Sequence, residues 1–215
     1  MAIRPFRATP MTLPARALRS AHVLVGILLA CTSLGARTAR AQVAPAAHGT
    51  KSAPDADIAF VQGMIAHHAQ AVEMSALIAE RTTRPELRAL GERISVSQKD
   101  EIAMMQQWLH EHGAAIPDSA GGHAQHSGHG VLMPGMLSAE EMQALAASSG
   151  PAFDRLFLAG MIKHHQGALT MVGELLRVPG AARQPQLYEF AADIDADQRA
   201  EIARMRALLA RLPAP

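Results

Sequence analysis

One segment occurs twice in this chain of 215 residues, and it constrains the fold more than any other feature. The first copy runs from Phe60 to Met74 and the second from Phe157 to Met171, with Phe, Gly, Met, Ile, His-His, Ala and Met repeated at one offset of 97. On an α-helix each residue turns by about 100°, so the methionines and histidines of each copy share one face. The repeat therefore predicts two equivalent helices, each carrying imidazoles and thioethers on one side.

A second pattern follows each copy at an offset of 100. Its members are Ile94, Gln98, Glu101, Ile102 and Met105, and then Ile194, Gln198, Glu201, Ile202 and Met205. The same helical count places each set on one face. Each histidine helix is thus expected to pair with the helix after it in an antiparallel hairpin, because only a short break separates the two.

The predicted helices are bounded by residues with terminal preferences. Asp55 or Asp57 is expected to cap the first helix, Thr83 and Glu86 have the spacing of a capping box, and Ser138 with Glu141 has the same spacing. The helices are expected at about 55–80, 85–112, 138–147, 152–177 and 186–212.

The two hairpins each have an apolar face that must be buried. We therefore predict an all-α protein, a four-helix bundle with an approximate internal twofold. Its parts are a hairpin at 55–112, a linker with a short helix at 113–150 that crosses over, and a hairpin at 151–212.

The N-terminal segment is not expected to belong to the bundle. Arginines precede an apolar run at 23–30, and Ala39-Arg40-Ala41 fits a signal-peptidase site. Residues 1–41 are therefore interpreted as a secretory signal and residues 42–54 as a flexible tether. A rival interpretation makes Cys31 the lipidated terminus of a lipoprotein. The run is too short to predict a membrane span in the mature chain.

Charge and cysteine content narrow the function. Residues 1–41 hold six of the 20 basic residues and none of the 19 acidic ones, so the exported chain is acidic. Nucleic acid is an unexpected partner for such a chain. Cys31 is the only cysteine, so a metal site in the mature chain must use His, Met or carboxylate ligands.

The doubled Met-Ile-x-His-His-x-x-Ala-x-x-Met segment, each copy followed by Gln-x-x-Glu-Ile, resembles the bacterial family catalogued as domain of unknown function 305 (DUF305). The Met133-Pro134-Gly135-Met136 segment is also similar to that family. The resemblance covers about residues 55–212. It implies an exported, ferritin-like four-helix bundle, and its CopM-like members imply periplasmic copper binding and copper tolerance.

Carried onto this chain, the resemblance implies copper ligands, as Cu(I) or Cu(II), among Met64, His67, His68, Met74, Met161, His164, His165 and Met171. Soft thioethers together with imidazoles suit copper, and thioethers favour Cu(I). The carboxylates and amides on the facing helices are candidates to orient the rings or to bind directly: Gln98, Glu101, Gln198 and Glu201. A separate auxiliary site is a candidate in the linker, formed by His123, His126, His129, Met133 and Met136.

Three functions remain open from the sequence. The first is a non-enzymatic periplasmic protein that sequesters copper or passes it to another carrier or exporter. The second is a ferritin-like di-metal oxidase, which requires Glu-x-x-His motifs that the two repeated segments lack. The third is a structural bundle whose buried histidines are satisfied by hydrogen bonds. The oligomeric state is not predicted.

Overall fold

The computed structural model describes residues 53–117 and 132–213, and within these ranges every regular element is a helix. The elements are α1 (Ala53–Ala76), α2 (Ile78–Arg81), α3 (Pro85–Glu111), α4 (Ala139–Ala147), α5 (Gly150–Arg177) and α6 (Pro185–Leu209). The all-α prediction is confirmed. The interpretations of residues 1–41, of Cys31, of most of the tether and of the three linker histidines lie outside the described residues.

Helix ends follow the predicted positions closely, with differences in how they are capped. The first helix is interrupted at Leu77, so its last turn is the separate helix α2. The capping box predicted at Thr83 is wrong: Arg84 is the N-cap of α3 and has no side-chain cap, while the Thr82 hydroxyl accepts the Arg84 N–H. Pro85, which has no backbone N–H, occupies the first helical position, where an N–H would have no partner within the helix.

The predicted capping box of α4 is confirmed. The Ser138 hydroxyl accepts the Glu141 N–H, and the Glu141 carboxylate accepts the Ser138 N–H. This reciprocal pair satisfies donors that the first turn of a helix leaves free. The cap predicted at Asp55 or Asp57 is not formed at those positions, since α1 begins at Ala53. Asp57 instead accepts a hydrogen bond from the backbone N–H of Ala182.

The four long helices make bundle-like contacts, with α1 packed on α3, α5 on α6, and α1 on α5. Each hairpin is antiparallel: Ile78, just after α1, packs on Gly91 near the start of α3, and Leu175 shares a cluster with Leu187 in the other hairpin. The three-dimensional repeat and the ferritin-like classification stay predictions.

Two apolar clusters form the core, and they lie on opposite sides of a polar layer. The first cluster contains residues 60–65, 105–109, 168–175 and 187–194. The second contains residues 71–78, 87–94, 153–161 and 202–205. On each of the four long helices, the residues between these ranges include buried polar side chains. The apolar core is therefore interrupted at its centre by polar side chains. Burying these side chains costs free energy that a continuous apolar core would avoid.

The hairpins are also joined through their connections. Arg84, before α3, donates to the carboxylate of Asp154 on α5 at 3.0 Å. Asp57 on α1 accepts the Ala182 N–H at 2.8 Å. Each hairpin thus holds the connection of the other. Within the described residues, no helix is both long enough and apolar enough to cross a membrane.

Candidate metal centre

The polar layer consists of eight side chains that the repeat places at equivalent positions. They are His67, His68, Gln98, Glu101, His164, His165, Gln198 and Glu201, and all are buried. The four imidazoles are at most 1% exposed. We use the term histidine layer for this set. Burying so many polar groups is costly unless they find partners, so their partners decide what the layer can do.

One histidine of each pair contacts a carboxylate. His68 Nε2 lies 2.5 Å from Glu101 Oε2, and His165 Nε2 lies 2.6 Å from Glu201 Oε2. The two contacts join the same positions of the two hairpins. Ser97 donates its hydroxyl to the other oxygen of Glu101 at 3.0 Å. Such carboxylates fix the orientation of an imidazole, as they do for histidines that bind metals.

The other histidine of the first pair contacts the crossover. His67 Nε2 lies 3.0 Å from the carbonyl oxygen of Pro134, in the connection that leads to α4. Its counterpart His164 makes no hydrogen bond of normal geometry at either ring nitrogen within the described part of the chain, although the His67 backbone lies close enough to raise its pKa slightly against the effect of burial. The rings of His67 and His164 face each other across α1 and α5, with centroids 3.8 Å apart and planes inclined by 40°.

The partners determine where the protons lie. A carbonyl oxygen and an ionised carboxylate can only accept, so the Nε2 atoms of His67, His68 and His165 donate. In the neutral ring the proton on Nε2 leaves Nδ1 with a lone pair. Among the described residues, the buried Nδ1 atoms of these three rings have no hydrogen-bond partner. A lone pair without a hydrogen-bond partner is available to donate to a metal ion.

Two of the rings are held neutral by their surroundings. Burial lowers the pKa of His67 from 6.5 to about 3, and the neighbouring His68 adds to the effect. Burial also lowers the pKa of His164 well below 6.5, with His67 and His165 acting in the same direction. Both rings are therefore neutral near pH 7, which is the state that binds metals.

The predicted methionine ligands lie on both sides of the layer. Met64 and Met171 belong to the first apolar cluster, and Met74 and Met161 to the second. The repeat thus contributes one methionine from each helix to each side. Met133 packs against the first cluster, where its sulfur and the Met171 methyl group both approach Gly63.

The structure brings some predicted site residues together and leaves others apart. Within residues 53–117 and 132–213, no three His, Cys, Asp or Glu side chains are arranged to hold one metal ion. A site using only such ligands is therefore not preformed in these ranges. Met136 is buried and Met133 is half-buried against the core, so neither methionine extends freely with the linker.

Two further histidines, His110 and His112, lie at the C-terminal end of α3. His110 is exposed, and His112 has both ring nitrogens engaged, by the Trp108 carbonyl and by Gln184.

Sequence reasoning missed two residues that contact the crossover. Gln70 makes two hydrogen bonds to the backbone of Leu137. Gly167 lies against Pro134 so closely that a Cβ would be 1.8 Å from the Pro134 oxygen. These two residues occupy the same position of the repeat. The difference between glutamine and glycine at this matched position, one of several differences between the two copies, was the available signal.

The side of the layer away from the crossover borders a cleft between α3 and α6. It has a volume of about 650 Å³, and Glu101, Met105, Trp108 and Ile194 contribute to its lining. Asp197 also lines it, and its pKa is raised, first by partial burial and then by Glu101 and Glu201. Glu101, whose carboxylate contacts His68, therefore forms part of the wall of a cleft that is open to solvent.

The fold and the layer define a class of protein: one whose described residues form only helices as regular elements, with paired, buried histidines between methionines. The chain belongs to the family described as Domain of unknown function (DUF305), whose model matches residues 57–209.

Solved structures of the family resemble it. A DUF305 fragment from Deinococcus radiodurans is 30% identical with a TM-score of 0.63, and the match covers 75% of this chain and 100% of that one. A DUF305 protein from Streptomyces coelicolor, described as a candidate secreted protein, is 30% identical with a TM-score of 0.62 and coverages of 74% and 94%.

The protein CopM is also similar, in structures bound to either copper ion. Its Cu(I)-bound form is 27% identical with a TM-score of 0.55, covering 71% of this chain and 94% of that one. Its Cu(II)-bound form is 28% identical with a TM-score of 0.58 and coverages of 71% and 95%.

Among curated proteins, L153 of Acanthamoeba polyphaga mimivirus is 40% identical over 55 residues. That match spans 26% of this chain and 36% of the viral protein.

Proposed function

We propose that this protein binds copper ions through the histidine layer and its flanking methionines, as a non-enzymatic exported protein that sequesters copper or passes it on. The observation that carries the proposal is the set of buried Nδ1 atoms without hydrogen-bond partners in the described residues. The similarity to CopM in its Cu(I)-bound and Cu(II)-bound forms supports copper as the metal.

The residues present fit such a cargo. Glu101 and Glu201 hold the Nε2–H groups of His68 and His165, which makes the opposite nitrogen a better donor. The low pKa values of His67 and His164 mean that little proton release is needed near pH 7. Met64, Met74, Met161 and Met171 supply thioethers, which favour Cu(I) over harder ions.

Transfer to a partner would proceed by ligand exchange. Neutral imidazoles and thioethers carry no charge to neutralise when the ion leaves, unlike thiolates. The partner would be another periplasmic copper carrier or exporter. We place the residues in a ferritin-like four-helix bundle of two related hairpins, and the equivalent His–Glu contacts of the two hairpins support that architecture.

A structural role is the second candidate, and specific contacts favour it. Glu101, Glu201 and the Pro134 carbonyl each satisfy one nitrogen of a buried ring. His164 argues against it, because both of its ring nitrogens lack hydrogen-bond partners among the described residues. A network built for stability would satisfy every buried ring with at least one hydrogen bond of normal geometry. We therefore favour metal binding over a purely structural network.

We do not propose oxidase chemistry. Glu73 and Glu174, the acidic residues closest to the repeated histidines in sequence, are exposed on the outer faces of α1 and α5. A carboxylate-bridged di-metal site needs glutamates facing inward from the same helices as its histidines. Dioxygen-dependent oxidation of ferrous iron by the purified protein would contradict this assignment.

Export is proposed from the basic and apolar N-terminal segment that ends at Ala39-Arg40-Ala41. N-terminal sequencing of the protein from the periplasm or medium should begin at or near Gln42. A blocked terminus at Cys31 would show that the lipoprotein interpretation is correct instead.

Anaerobic titration of the mature protein with Cu(I), Cu(II), Zn(II) and Fe(II), followed by native mass spectrometry, tests the function. Tight copper binding with weak binding of iron is expected. A His110→Ala variant is the matched control, because it removes an exposed imidazole on α3 and should bind like the wild type. Wild-type protein that retains no copper in competition with a weak chelator would contradict the proposal.

A further inference from the structure

The two copies of the repeat differ in their contacts with the crossover, which crosses the histidine layer. We use the term crossover turn for residues Met133–Leu137. The turn passes over α1 and α5 at the level of His67 and His164, and its Pro134 carbonyl accepts the Nε2–H of His67. A single chain has only one crossover, so only one of the two repeats can receive this contact.

Gln70 holds the turn from the side of α1. It is 3% exposed, donates through Nε2 to the Leu137 carbonyl at 3.0 Å, and accepts the Leu137 N–H through Oε1 at 2.8 Å. Both polar atoms of the Gln70 amide therefore bond the backbone of one residue of the crossover turn, Leu137. This pairing fixes the turn against α1 one helical turn beyond His67.

On the side of α5, two glycines leave room for the backbone of the crossover turn. Gly135 has a φ of +75°, and a Cβ there would lie 2.4 Å from the Lys163 carbonyl oxygen. A Cβ on Gly167 would lie 1.8 Å from the Pro134 oxygen, well inside van der Waals contact. The backbone of the turn thus rests directly on the backbone of α5, at the carbonyl that His67 uses.

Gln70 and Gly167 are equivalent positions, each two residues after the second histidine of its pair. In the first repeat this position bonds the turn, and in the second it makes room for it. The long polar side chain of Gln70 and the absence of a side chain at Gly167 together determine where the Pro134 carbonyl lies.

We propose that Gln70 and Gly167 are positioning residues that set the tautomer of His67. By placing the Pro134 carbonyl, they keep the proton of His67 on Nε2 and leave Nδ1 as its basic nitrogen. His164, at the equivalent position, does not contact the crossover carbonyl and has no hydrogen bond of normal geometry to fix its tautomer among the described residues. The two halves of the layer are therefore chemically unequal despite the repeat.

This inequality between His67 and His164 deepens the proposed function. Its consequence for metal binding rests on that function. For a soft metal cation, Nδ1 of His67 would be preorganised as the donor atom, whereas the donor nitrogen of His164 would not be fixed in advance. Loss of an acceptor that orients a metal-binding histidine weakens metal affinity by about 10- to 100-fold. The tautomer itself can be measured in the metal-free protein, without relying on copper binding.

The test uses long-range proton–nitrogen NMR of the metal-free mature protein near pH 7.5, which distinguishes the two imidazole tautomers. In the wild type, His67, His68 and His165 should all carry the proton on Nε2. The Gln70→Met variant removes both bonds to Leu137 while keeping side-chain length. The Gly167→Ala variant displaces the Pro134 carbonyl. Each should convert His67 to a mixture of tautomers while His68 and His165 stay unchanged.

Matched controls make the same chemical changes away from the turn. Gln166→Met alters an exposed glutamine of α5, and Gly173→Ala adds a methyl group where the nearest atom would be 3.7 Å away. Neither should change any tautomer. If Gly167→Ala does not fold, as judged by circular dichroism, Gln70→Met decides alone. His67 remaining wholly protonated at Nε2 in Gln70→Met would overturn the proposal.

A second measurement, competition with a Cu(I) chelator, separates this inference from the proposed function. Gln70→Met should bind Cu(I) about 10-fold more weakly than the wild type or Gln166→Met. Unchanged affinity with a changed tautomer would overturn the link between the turn and metal binding. A wild type that binds no copper would defeat the proposed function, while the tautomer measurement would still decide the role of Gln70.

Discussion

Glu101 and Glu201 determine how the two histidines beside them can act. Each carboxylate accepts from an Nε2 atom, and each is itself about nine-tenths buried. A negative acceptor on one nitrogen of an imidazole raises the basicity of the other, which is why metal-binding histidines often have one. The same contact would also satisfy a purely structural ring, so a substitution must distinguish the two roles.

Replacing Glu101 or Glu201 with glutamine keeps an oxygen that can accept the Nε2–H and removes the charge. We expect Glu101→Gln and Glu201→Gln each to weaken copper binding by about 10-fold or more while the helical content is retained. Chelator competition measures the affinity. Glu92→Gln, on an exposed turn of α3, is the control and should have no effect. Wild-type affinity in both layer variants would show that the carboxylates do not tune the ligands.

The buried histidines also predict the pH dependence of the metal-free protein. The pKa of His67 is about 3 in the folded state against an ordinary value of 6.5, because burial disfavours the charged ring. Between these values the unfolded chain binds a proton that the folded chain does not, so stability falls as the pH drops below about 6.5. Burial lowers the pKa of His164 in the same direction.

Urea unfolding of the metal-free protein at pH 7.5 and pH 5 measures this effect. Each of the two rings is expected to contribute a slope of up to about 1.4 kcal/mol per pH unit over that window. A His164→Leu variant should lose part of the slope, and His110→Ala should keep it. A stability that is constant or rises towards pH 5 in the wild type would contradict the assignment of neutral, buried rings.

Much of the layer could be predicted at the residue scale. A period of about 100° placed the histidines, Gln98 and Glu101 on inward faces, because helical geometry alone fixes which residues face the core. The hydrogen bond between His67 and Pro134 could not be predicted, since it depends on where a crossover folds in space. The same limit applies to the unequal roles of Gln70 and Gly167.

At the scale of the secondary-structure elements, the connections between helices contribute to the fold as much as the helices do. The helices at 85–111, 139–147 and 150–177 lie close to their predicted bounds, because periodicity, Pro85, the Ser138 box and Gly150 mark them locally. The interruption at Leu77 has no such mark. The caps predicted at the starts of α1 and α3 are not formed. Asp57 bonds to Ala182 rather than capping its own helix, and the Arg84 N–H before α3 bonds locally to Thr82.

Asp57 is expected to hold the connection between α5 and α6 in place. Its carboxylate accepts the buried N–H of Ala182, a residue whose φ of +51° is unusual for a side chain other than glycine. Asp57→Ala leaves that N–H unpaired and should cost about 1–3 kcal/mol of unfolding free energy. Asp57→Asn retains an accepting oxygen and should cost less. Thermal melting compares the two, and equal melting temperatures for Asp57→Ala and the wild type would contradict the role.

For the whole molecule, the central feature is a polar layer that divides one core into two apolar clusters. Such a layer lowers the stability of the metal-free protein, because several of its buried nitrogens have no partner in the described residues. A ligand that binds only the folded state would recover this cost, by about 2.7 kcal/mol at a concentration 100 times its dissociation constant. If the layer binds copper as proposed, folding and metal binding are expected to be coupled through it.

The most direct measurement replaces His67, His68, His164 and His165 together and compares the variant with the wild type in two assays. Metal ligation predicts that the variant still folds, that its high-affinity Cu(I) binding in chelator competition is lost, and that copper no longer raises its melting temperature. His110→Ala should behave like the wild type in both assays. A four-histidine variant that binds Cu(I) as tightly as the wild type, while its metal-free melting temperature changes, would contradict the copper site and leave the layer a structural network.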